Sequence, residues 1–151
     1  PARGDRVDVV GVKPLRDDET LASIVDIVPT ILKVTGQKVP EHLPGLDLLD
    51  RAAMTARKSI FVESYTHDIA ELGKPEKSLV ANVVINGWNK LILPGSVRPD
   101  KAFTSAPKEI VLYDLQADPF EEHDLAKGKS DDVKRLEAIQ KSAWDAAKPS
   151  K

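Results

Sequence analysis

The sequence predicts an α+β fold: a small antiparallel β-sheet of about four strands, with a carboxy-terminal amphipathic helix packed on one face and a buried helix preceding the sheet. Three observations predict the sheet and its helix. Residues 59–64 and 109–115 are short apolar runs, residues 79–93 have the pattern of a β-hairpin, and a helical pattern closes the chain. Consecutive strands followed by one amphipathic helix are typical of a sheet covered on a single face.

The hairpin is predicted from the dipeptide Asn86-Gly87, which separates two apolar runs. Both residues tolerate positive φ angles, and a tight two-residue turn requires such angles. The segment that follows, residues 94–108, has no packing pattern and is predicted to be a loop leading to the last strand.

The closing helix is predicted to begin at Ser130, whose hydroxyl can cap the first turn. Asp131 and Asp132 suit the positive end of the helix dipole. Five side chains recur at helical spacing and predict the face that packs on the sheet: Val133, Leu136, Ile139, Ala143 and Trp144.

An earlier helix is predicted over residues 26–35. Asp26 can cap it, Pro29 falls in its first turn, where proline costs little, and Gly36 ends it. This segment is apolar on nearly all sides, so we expect the helix to be buried between layers. Residues 1–18 before it read as a short strand or extended arm.

A proline-punctuated connector follows this helix, and within it we expect a brief helical turn through Leu48 and Leu49. His42 lies alone in the connector, between Pro40 and Pro44, and is interpreted as a surface residue.

Composition excludes several classes of function. The formal net charge of the 151-residue chain is −2, and no basic stripe is available to neutralise phosphates, so nucleic-acid binding is disfavoured. No apolar run is long enough to suggest a membrane span. The absence of cysteine excludes disulfides, thiolate metal sites and a cysteine nucleophile within this chain. Because the chain begins at Pro1, we expect it to be part of a longer protein.

Four consecutive side chains with acid–base or metal-binding potential lie after the last strand: Glu121, Glu122, His123 and Asp124. Side chains adjacent in sequence do not all converge on one ion, so we predict no metal site here. The alternative is a hinge between strand and helix. Asp118-Pro119 starts a turn, Phe120 and Leu125 pin it through apolar contacts, and the acids between them are solvated. We favour the hinge.

A second polar group follows the first strand of the sheet. Glu63, Tyr65 and His67 would share one face of an extended strand, with Asp68 next to them. A carboxylate, a phenol and an imidazole on one face could bind an anion or move a proton. The structural alternative is a solvated end of an edge strand, and the residues by themselves favour it.

No catalytic residue is predicted within this chain. It has no Gly-x-Ser-x-Gly elbow, no glycine-rich phosphate loop and no His-Glu-x-x-His helix. Alone, it should therefore not catalyse.

Three ordered motifs resemble the sulfatase family. "SIVDIVPTILKVTG" followed by "LPGLDLLD" is similar to a sulfatase segment in which an Asp-capped helix leads to a Pro-Gly connector. "IFVESYTHDIAE" and "KSLVANVVINGWNKLILPG" resemble the strand and hairpin that follow in bacterial sulfatases. "EIVLYDLQADPFEEHDLA" is similar to the family's carboxy-terminal signature, with Asp124 where the family often has Asn. The resemblance covers roughly residues 20–147.

This resemblance implies the carboxy-terminal portion of an arylsulfatase-like enzyme of the alkaline-phosphatase-like superfamily. Residues 1–50 would be the tail of a large α/β domain that contains the buried helix, and residues 51–151 the carboxy-terminal subdomain. In that family a formylglycine residue and a calcium ion belong to the amino-terminal part, so the resemblance implies that both lie upstream of this chain. The formylglycine motif does not occur here. The parent enzyme would hydrolyse sulfate esters, and such enzymes are often exported.

By the same resemblance, the strand end approaches the rim of the substrate cleft. Tyr65, His67 and Asp68 are therefore the candidate substrate-binding residues of the intact enzyme. Two alternatives remain open: a stand-alone binding module with this architecture, and part of a phosphatase relative from the same superfamily.

Overall fold

The computed structural model describes residues 17–97 and 107–147. The arm predicted over residues 1–18 lies almost wholly outside these ranges, as does the middle of the loop predicted over residues 94–108. The remaining elements form the α+β architecture that the sequence predicts, a four-stranded antiparallel sheet with a carboxy-terminal helix.

The sheet is antiparallel throughout, and its strands follow one another in chain order. Strand β1 spans Ser59–Tyr65, β2 spans Leu79–Asn86, β3 spans Asn89–Pro94 and β4 spans Val111–Asp114. Strands β1 and β4 therefore form the two edges of the described sheet.

The hairpin turn lies one residue later than predicted. Asn86 pairs with Asn89, so the turn consists of Gly87 and Trp88, and only Gly87 has a positive φ, of 58°. Asn86 instead ends β2, where its side-chain amide donates to the carbonyl of Lys58 at 2.9 Å and holds β1 beside the turn. The local sequence pattern does not predict this hydrogen bond from the Asn86 side chain.

Helix α3, Ser130–Ala147, packs on the sheet and closes the main core. Four side chains with no exposed surface form the centre of this core: Val84, Leu91, Leu112 and Leu136. Val133 and Ile139 pack around them, while Ala143 and Trp144 are half-buried. The amphipathic face predicted for this helix is therefore the face that contacts the sheet.

Helix α1, Ile27–Val34, follows a 3₁₀ turn over Ile24–Asp26. It ends as predicted at Gly36, whose φ is 71°. The Gly36 amide donates to the carbonyl of Lys33 at 3.1 Å and the Gln37 amide to that of Leu32 at 2.7 Å, which is the double hydrogen bond of a Schellman motif. Glycine is favoured there because a side chain in the left-handed region is strained.

The connector's helical turn comes slightly later than Leu48 and Leu49. It is helix α2, Arg51–Ala56, and the Asp50 carboxylate caps it by accepting from the Ala53 amide at 3.0 Å.

Burial of α1, expected from its apolar character, is not found within the described parts of the chain. Pro29 is buried, but six aliphatic side chains on and before the helix are between 42% and 81% exposed: Ile24, Val25, Ile27, Val28, Ile31 and Val34. We call these six residues the α1 aliphatic face. None of the helices in residues 17–97 and 107–147 has both the length and the apolar character needed to cross a bilayer.

Candidate functional site

The carboxy-terminal end of β1 brings Glu63 and Tyr65 onto one face, as strand alternation predicts. The Tyr65 hydroxyl donates to Oε2 of Glu63 at 2.8 Å. The alternation does not extend to His67, because the strand ends at Tyr65 and the Thr66 amide bonds the carbonyl of Ser78 at 2.8 Å. The predicted shared face therefore contains two of the three side chains.

His67 and Asp68 lie just beyond the strand and project into solvent. Their side chains are 96% and 99% exposed, and Nδ1 of His67 lies 3.3 Å from Oδ1 of Asp68. An ion pair at such exposure contributes little to stability. Both side chains are thus held by few contacts and are accessible to a ligand.

An open cleft of about 300 Å³ adjoins Tyr65 and Asp68, and Ile69 and Leu72 give it an apolar wall. Its charged groups are mostly acidic: Asp68 and Glu71 line the cleft, and Glu71 is paired with Lys74. Such an arrangement accepts hydrogen bonds from hydroxyl or ammonium groups more readily than it holds an anion, since like charges repel.

Tyr65 remains a neutral phenol at ordinary pH. Partial burial, followed by the hydrogen bond and the negative charge of Glu63, raises the pKa of Tyr65 to about 12. The hydroxyl donates to Glu63 and can accept a hydrogen bond at this cleft, but it is not a phenolate base.

The hinge interpretation of residues 118–126 agrees with the contacts found there. Asp118 accepts from the amides of Glu122 at 3.1 Å and His123 at 2.8 Å, which fixes the turn predicted at Asp118-Pro119. Partial burial pushes the pKa of Asp118 upward, but these amides and His123 hold it below its ordinary value. Ligand atoms of Asp118, Glu122 and His123 lie within 4.8 Å of one another, yet both Asp118 oxygens already serve the turn.

Two of the acids in this turn are not simply solvated, contrary to prediction. Lys90 donates to both carboxylate oxygens of Glu121, at 2.7 and 2.8 Å, and Oδ1 of Asp124 accepts from the amides of Leu112 at 3.0 Å and Ala126 at 2.9 Å. These contacts fasten the turn to β3 and β4. Because Lys90 and Leu112 lie in strands that are distant from the turn in sequence, the local sequence does not predict these contacts.

Two side chains were predicted to hold the turn through apolar contacts, and only Leu125 does so. Leu125 packs against the main core, and its amide bonds the carbonyl of Leu112 at 2.8 Å. Phe120 is 73% exposed, so its predicted packing role is wrong within the described chain.

A buried ion pair between Asp26 and Arg57 is the main site feature that sequence reasoning missed. Asp26 was predicted to cap α1, but its carboxylate makes no capping bond to the helix. It instead accepts from both terminal nitrogens of Arg57, at 2.5 and 2.6 Å, and from the amides of Ser23 at 2.7 Å and Leu46 at 2.8 Å. Arg57 chiefly, with these amides, holds the pKa of Asp26 well below its ordinary value.

This pair is structural in character. The Asp26 side chain has no exposed surface and that of Arg57 is 13% exposed, so no ligand can reach the carboxylate. The pair joins the start of α1, the connector and the end of α2. Leu46, whose amide bonds Asp26, and Arg57 are both distant from Asp26 in sequence, so no local motif predicts this cluster.

The fold of this chain is similar to parts of known protein structures. No protein-family model matches the chain, and no curated protein does. Among solved structures, the chain is similar to a protein designated 6S-sulf from the core genetic locus with which Bacteroides thetaiotaomicron metabolises multiple glycosaminoglycans. The identity is 20%, the TM-score is 0.51, and the match covers 78% of this chain and 24% of that one.

A second solved structure is of a protein in complex with its substrate, D-glucosamine-2-N,6-O-disulfate. It matches with 20% identity and a TM-score of 0.52, over 80% of this chain and 23% of that one. The chain thus has a sulfatase-like fold and spans about a quarter of the length of these solved structures.

Proposed function

We propose that this chain is the carboxy-terminal subdomain of a sulfatase, which supports the enzyme and lines the rim of its substrate cleft. The observation that carries the proposal is the fold match: it covers 78% and 80% of this chain but only 24% and 23% of the two sulfatase structures. The chain would be silent by itself, because the reacting groups of the family belong to the remaining three quarters.

The proposed division assigns residues 1–50 to the end of a large α/β domain and residues 51–151 to the subdomain. The exposure of the α1 aliphatic face supports it, because an apolar surface of this kind is usually covered by a partner. A stand-alone binding module would need this helix to be covered from within the chain, and the described residues do not cover it. The exposure of this helix is consistent with the proposed fragment.

The calcium ion and formylglycine expected for the family do not fit the side chains described here. Calcium takes six to eight oxygen ligands, whereas the grouping of Asp118, Glu122 and His123 offers few, with the Asp118 oxygens already engaged. The sequence has neither cysteine nor a Ser-x-Pro-x-Arg motif to supply formylglycine. We therefore propose that both groups belong to the part of the longer protein upstream of this chain.

Tyr65, His67 and Asp68 are the proposed substrate-binding residues. The exposed imidazole and carboxylate lie beside a cleft with an apolar wall, and the Tyr65 hydroxyl is neutral. Since the surrounding charge is acidic, we propose that these groups bind hydroxyl or amino groups of the organic part of the ester rather than its sulfate.

The proposal is tested with the longer protein encoded by the reading frame that contains this chain. We expect it to release sulfate from p-nitrophenyl sulfate and from glucosamine 6-sulfate in a calcium-dependent reaction, whereas the 151-residue chain alone releases none. Faster release from p-nitrophenyl phosphate would favour the phosphatase relative. Enzyme-like hydrolysis by the chain alone would refute the scaffold role.

The binding residues are tested in the same longer protein. We expect His67→Ala and Asp68→Asn each to raise KM for glucosamine 6-sulfate by about tenfold with kcat unchanged, because they remove contacts made equally in the ground and transition states. The matched controls are His42→Ala and Asp131→Asn, which change an exposed histidine and an exposed aspartate elsewhere. Unchanged KM in both test variants would remove these residues from the substrate site.

A further inference from the structure

The tip of the β2–β3 hairpin contains an Asn-Gly dipeptide, Asn86-Gly87, which the proposed function does not use. Around the place where a Cβ of Gly87 would stand, no atom of the described residues beyond its chain neighbours lies within 4 Å. Asn86, in contrast, is paired on both sides, with Ser59 of β1 and with Asn89 of β3. The dipeptide thus joins a residue held inside the sheet to an open, unhindered glycine.

Groups from two other parts of the chain hold the Asn86 side chain by hydrogen bonds. Its Nδ2 donates to the carbonyl of Lys58 at 2.9 Å and to Oγ of Ser59 at 3.0 Å. Its Oδ1 accepts from a terminal nitrogen of Arg135 in α3 at 2.8 Å. The other terminal nitrogen of Arg135 donates to Asp132 at 3.1 Å, which fixes the guanidinium. We call the contacts from Lys58, Ser59 and Arg135 the Asn86 clamp.

These partners also determine which way the amide faces. A backbone carbonyl only accepts hydrogen bonds and a guanidinium only donates them, so the nitrogen faces Lys58 and the oxygen faces Arg135. Both ends of the amide are therefore engaged, and the side chain cannot turn without breaking a hydrogen bond.

An asparagine followed by glycine can lose its amide without an enzyme. The Gly87 backbone nitrogen gives up its proton to solvent base and bonds to Cγ of Asn86, and the Cγ–Nδ2 bond breaks to release ammonia. Water then adds to one carbonyl of the resulting five-membered succinimide ring and opens it to aspartate or isoaspartate. No oxidant or reductant is needed, and glycine favours ring closure because it has no side chain to obstruct the attack.

The Asn86 clamp opposes this ring closure. The attacking nitrogen and Cγ have to reach a near-attack geometry, with the two atoms in close, aligned contact. The clamp holds the amide toward Lys58 and Arg135, and strand pairing on both sides keeps the backbone extended. Reaction therefore requires the end of the hairpin to open locally.

We infer that Asn86 is a site of spontaneous deamidation and that the Asn86 clamp keeps the reaction slow in the folded chain. The product carboxylate has no N–H to donate to Lys58 or Ser59, and isoaspartate adds a carbon to the backbone of β2. Deamidation therefore loosens the connection of the hairpin to β1. The inference is independent of the proposed sulfatase function, since it uses only these contacts.

The test compares deamidation of the 151-residue chain in mildly alkaline buffer and in concentrated urea. Peptide mapping by mass spectrometry follows aspartate and isoaspartate at the three asparagines, Asn82, Asn86 and Asn89. In urea we expect Asn86 to react fastest, because the other two precede bulkier residues. In buffer we expect its rate to be lower by more than about tenfold, the effect of one hydrogen bond to a charged group.

Variants of α3 isolate the clamp. Arg135→Met removes the donor to Oδ1 and should raise the rate in buffer by about tenfold while leaving the rate in urea unchanged. Lys134→Met is the matched control: it removes a cation that is 75% exposed on the same helix and pairs with Asp131 at 4.0 Å. Circular dichroism establishes that each variant is folded. If Arg135→Met does not fold, Ser59→Ala, which removes one acceptor, should also raise the rate in buffer.

Three results would overturn the inference. The first is an equal rate at Asn86 in buffer and in urea, which means that the fold gives no protection. The second is a rate in buffer that neither Arg135→Met nor Ser59→Ala raises above that of Lys134→Met. The third is slower reaction at Asn86 than at Asn82 or Asn89 in urea. None of them bears on sulfate-ester hydrolysis, which is measured on the longer protein.

Discussion

At the scale of single residues, the Asp26–Arg57 pair decides how the amino-terminal part of the described chain is held. The carboxylate is fully buried, and each of its oxygens accepts at least two hydrogen bonds. A buried pair of this kind adds little over an apolar replacement of both partners, but removal of one partner leaves an uncompensated charge. The pair therefore makes the local geometry specific.

We predict that Arg57→Met lowers the free energy of unfolding by about 3–5 kcal/mol, because it leaves the Asp26 carboxylate buried without a counter-charge. Arg51→Met is the matched control: the Arg51 side chain is 73% exposed, and its change should cost less than about 0.5 kcal/mol. Urea denaturation followed by circular dichroism measures both. Equal stability of the two variants would contradict the argument.

The same pair predicts an acid dependence. Since folding depresses the pKa of Asp26, its contribution to stability is fully present above the ordinary aspartate pKa of about 4 and is lost as the pH falls through the lower folded value. We expect the unfolding free energy of the wild-type chain to fall as the pH is lowered from 5 to 3. Arg57→Met should flatten this fall, and a parallel decline in both proteins would assign it to other carboxylates.

At the scale of elements, the turn over residues 118–126 fixes the last strand to the closing helix. Asp124 bonds the Leu112 amide of β4 and the Ala126 amide that follows it, while Glu121 bonds Lys90 of β3. The acids that looked like a metal or acid–base cluster therefore support the sheet. Their chemistry is used for hydrogen bonds to backbone amides and a lysine.

We predict that Asp124→Ala lowers the free energy of unfolding by about 1–2 kcal/mol, since two buried or half-buried amides lose their acceptor. Asp124→Asn should cost less than about 0.5 kcal/mol, because the Asn oxygen can accept the same bonds. Glu122→Ala, at an exposed position of the same turn, is the control. Thermal unfolding compares the three, and a neutral Asp124→Ala would argue against the hinge role.

At the scale of the whole molecule, the described chain has one well-closed core, and several apolar side chains outside that core are exposed. The core lies between the sheet and α3. The α1 aliphatic face, in contrast, lies next to the Asp26–Arg57 pair and lacks a cover among the described residues. An uncovered apolar face is the kind of surface that packs against a partner.

We predict that the 151-residue chain self-associates as its concentration rises, through this face. The double variant Ile27→Glu, Ile31→Glu should remain monomeric, because charges on the face oppose its burial. Lys33→Glu changes the charge of the same helix without removing an aliphatic side chain, and it should still associate. Sedimentation velocity and solution scattering measure this; a compact monomer at every concentration would favour the stand-alone module.

What the sequence determined by itself was local. Short apolar runs predicted the strands, helical spacing predicted the packed face of α3, and Gly36 marked the end of α1, because these features depend on residues within a few positions of each other. The hinge at Asp118-Pro119 was predictable for the same reason.

Only the tertiary structure decided which distant groups meet. Asp26 and Arg57, like Lys90 and Glu121, are 31 residues apart, so neither pair has a local signature. The one-residue shift of the hairpin turn follows from pairing between strands. The cleft between α3 and the β2–β3 hairpin, too, exists only because α3 lies across β2 and β3. Contacts of this kind depend on the path of the whole chain, which no short sequence window contains.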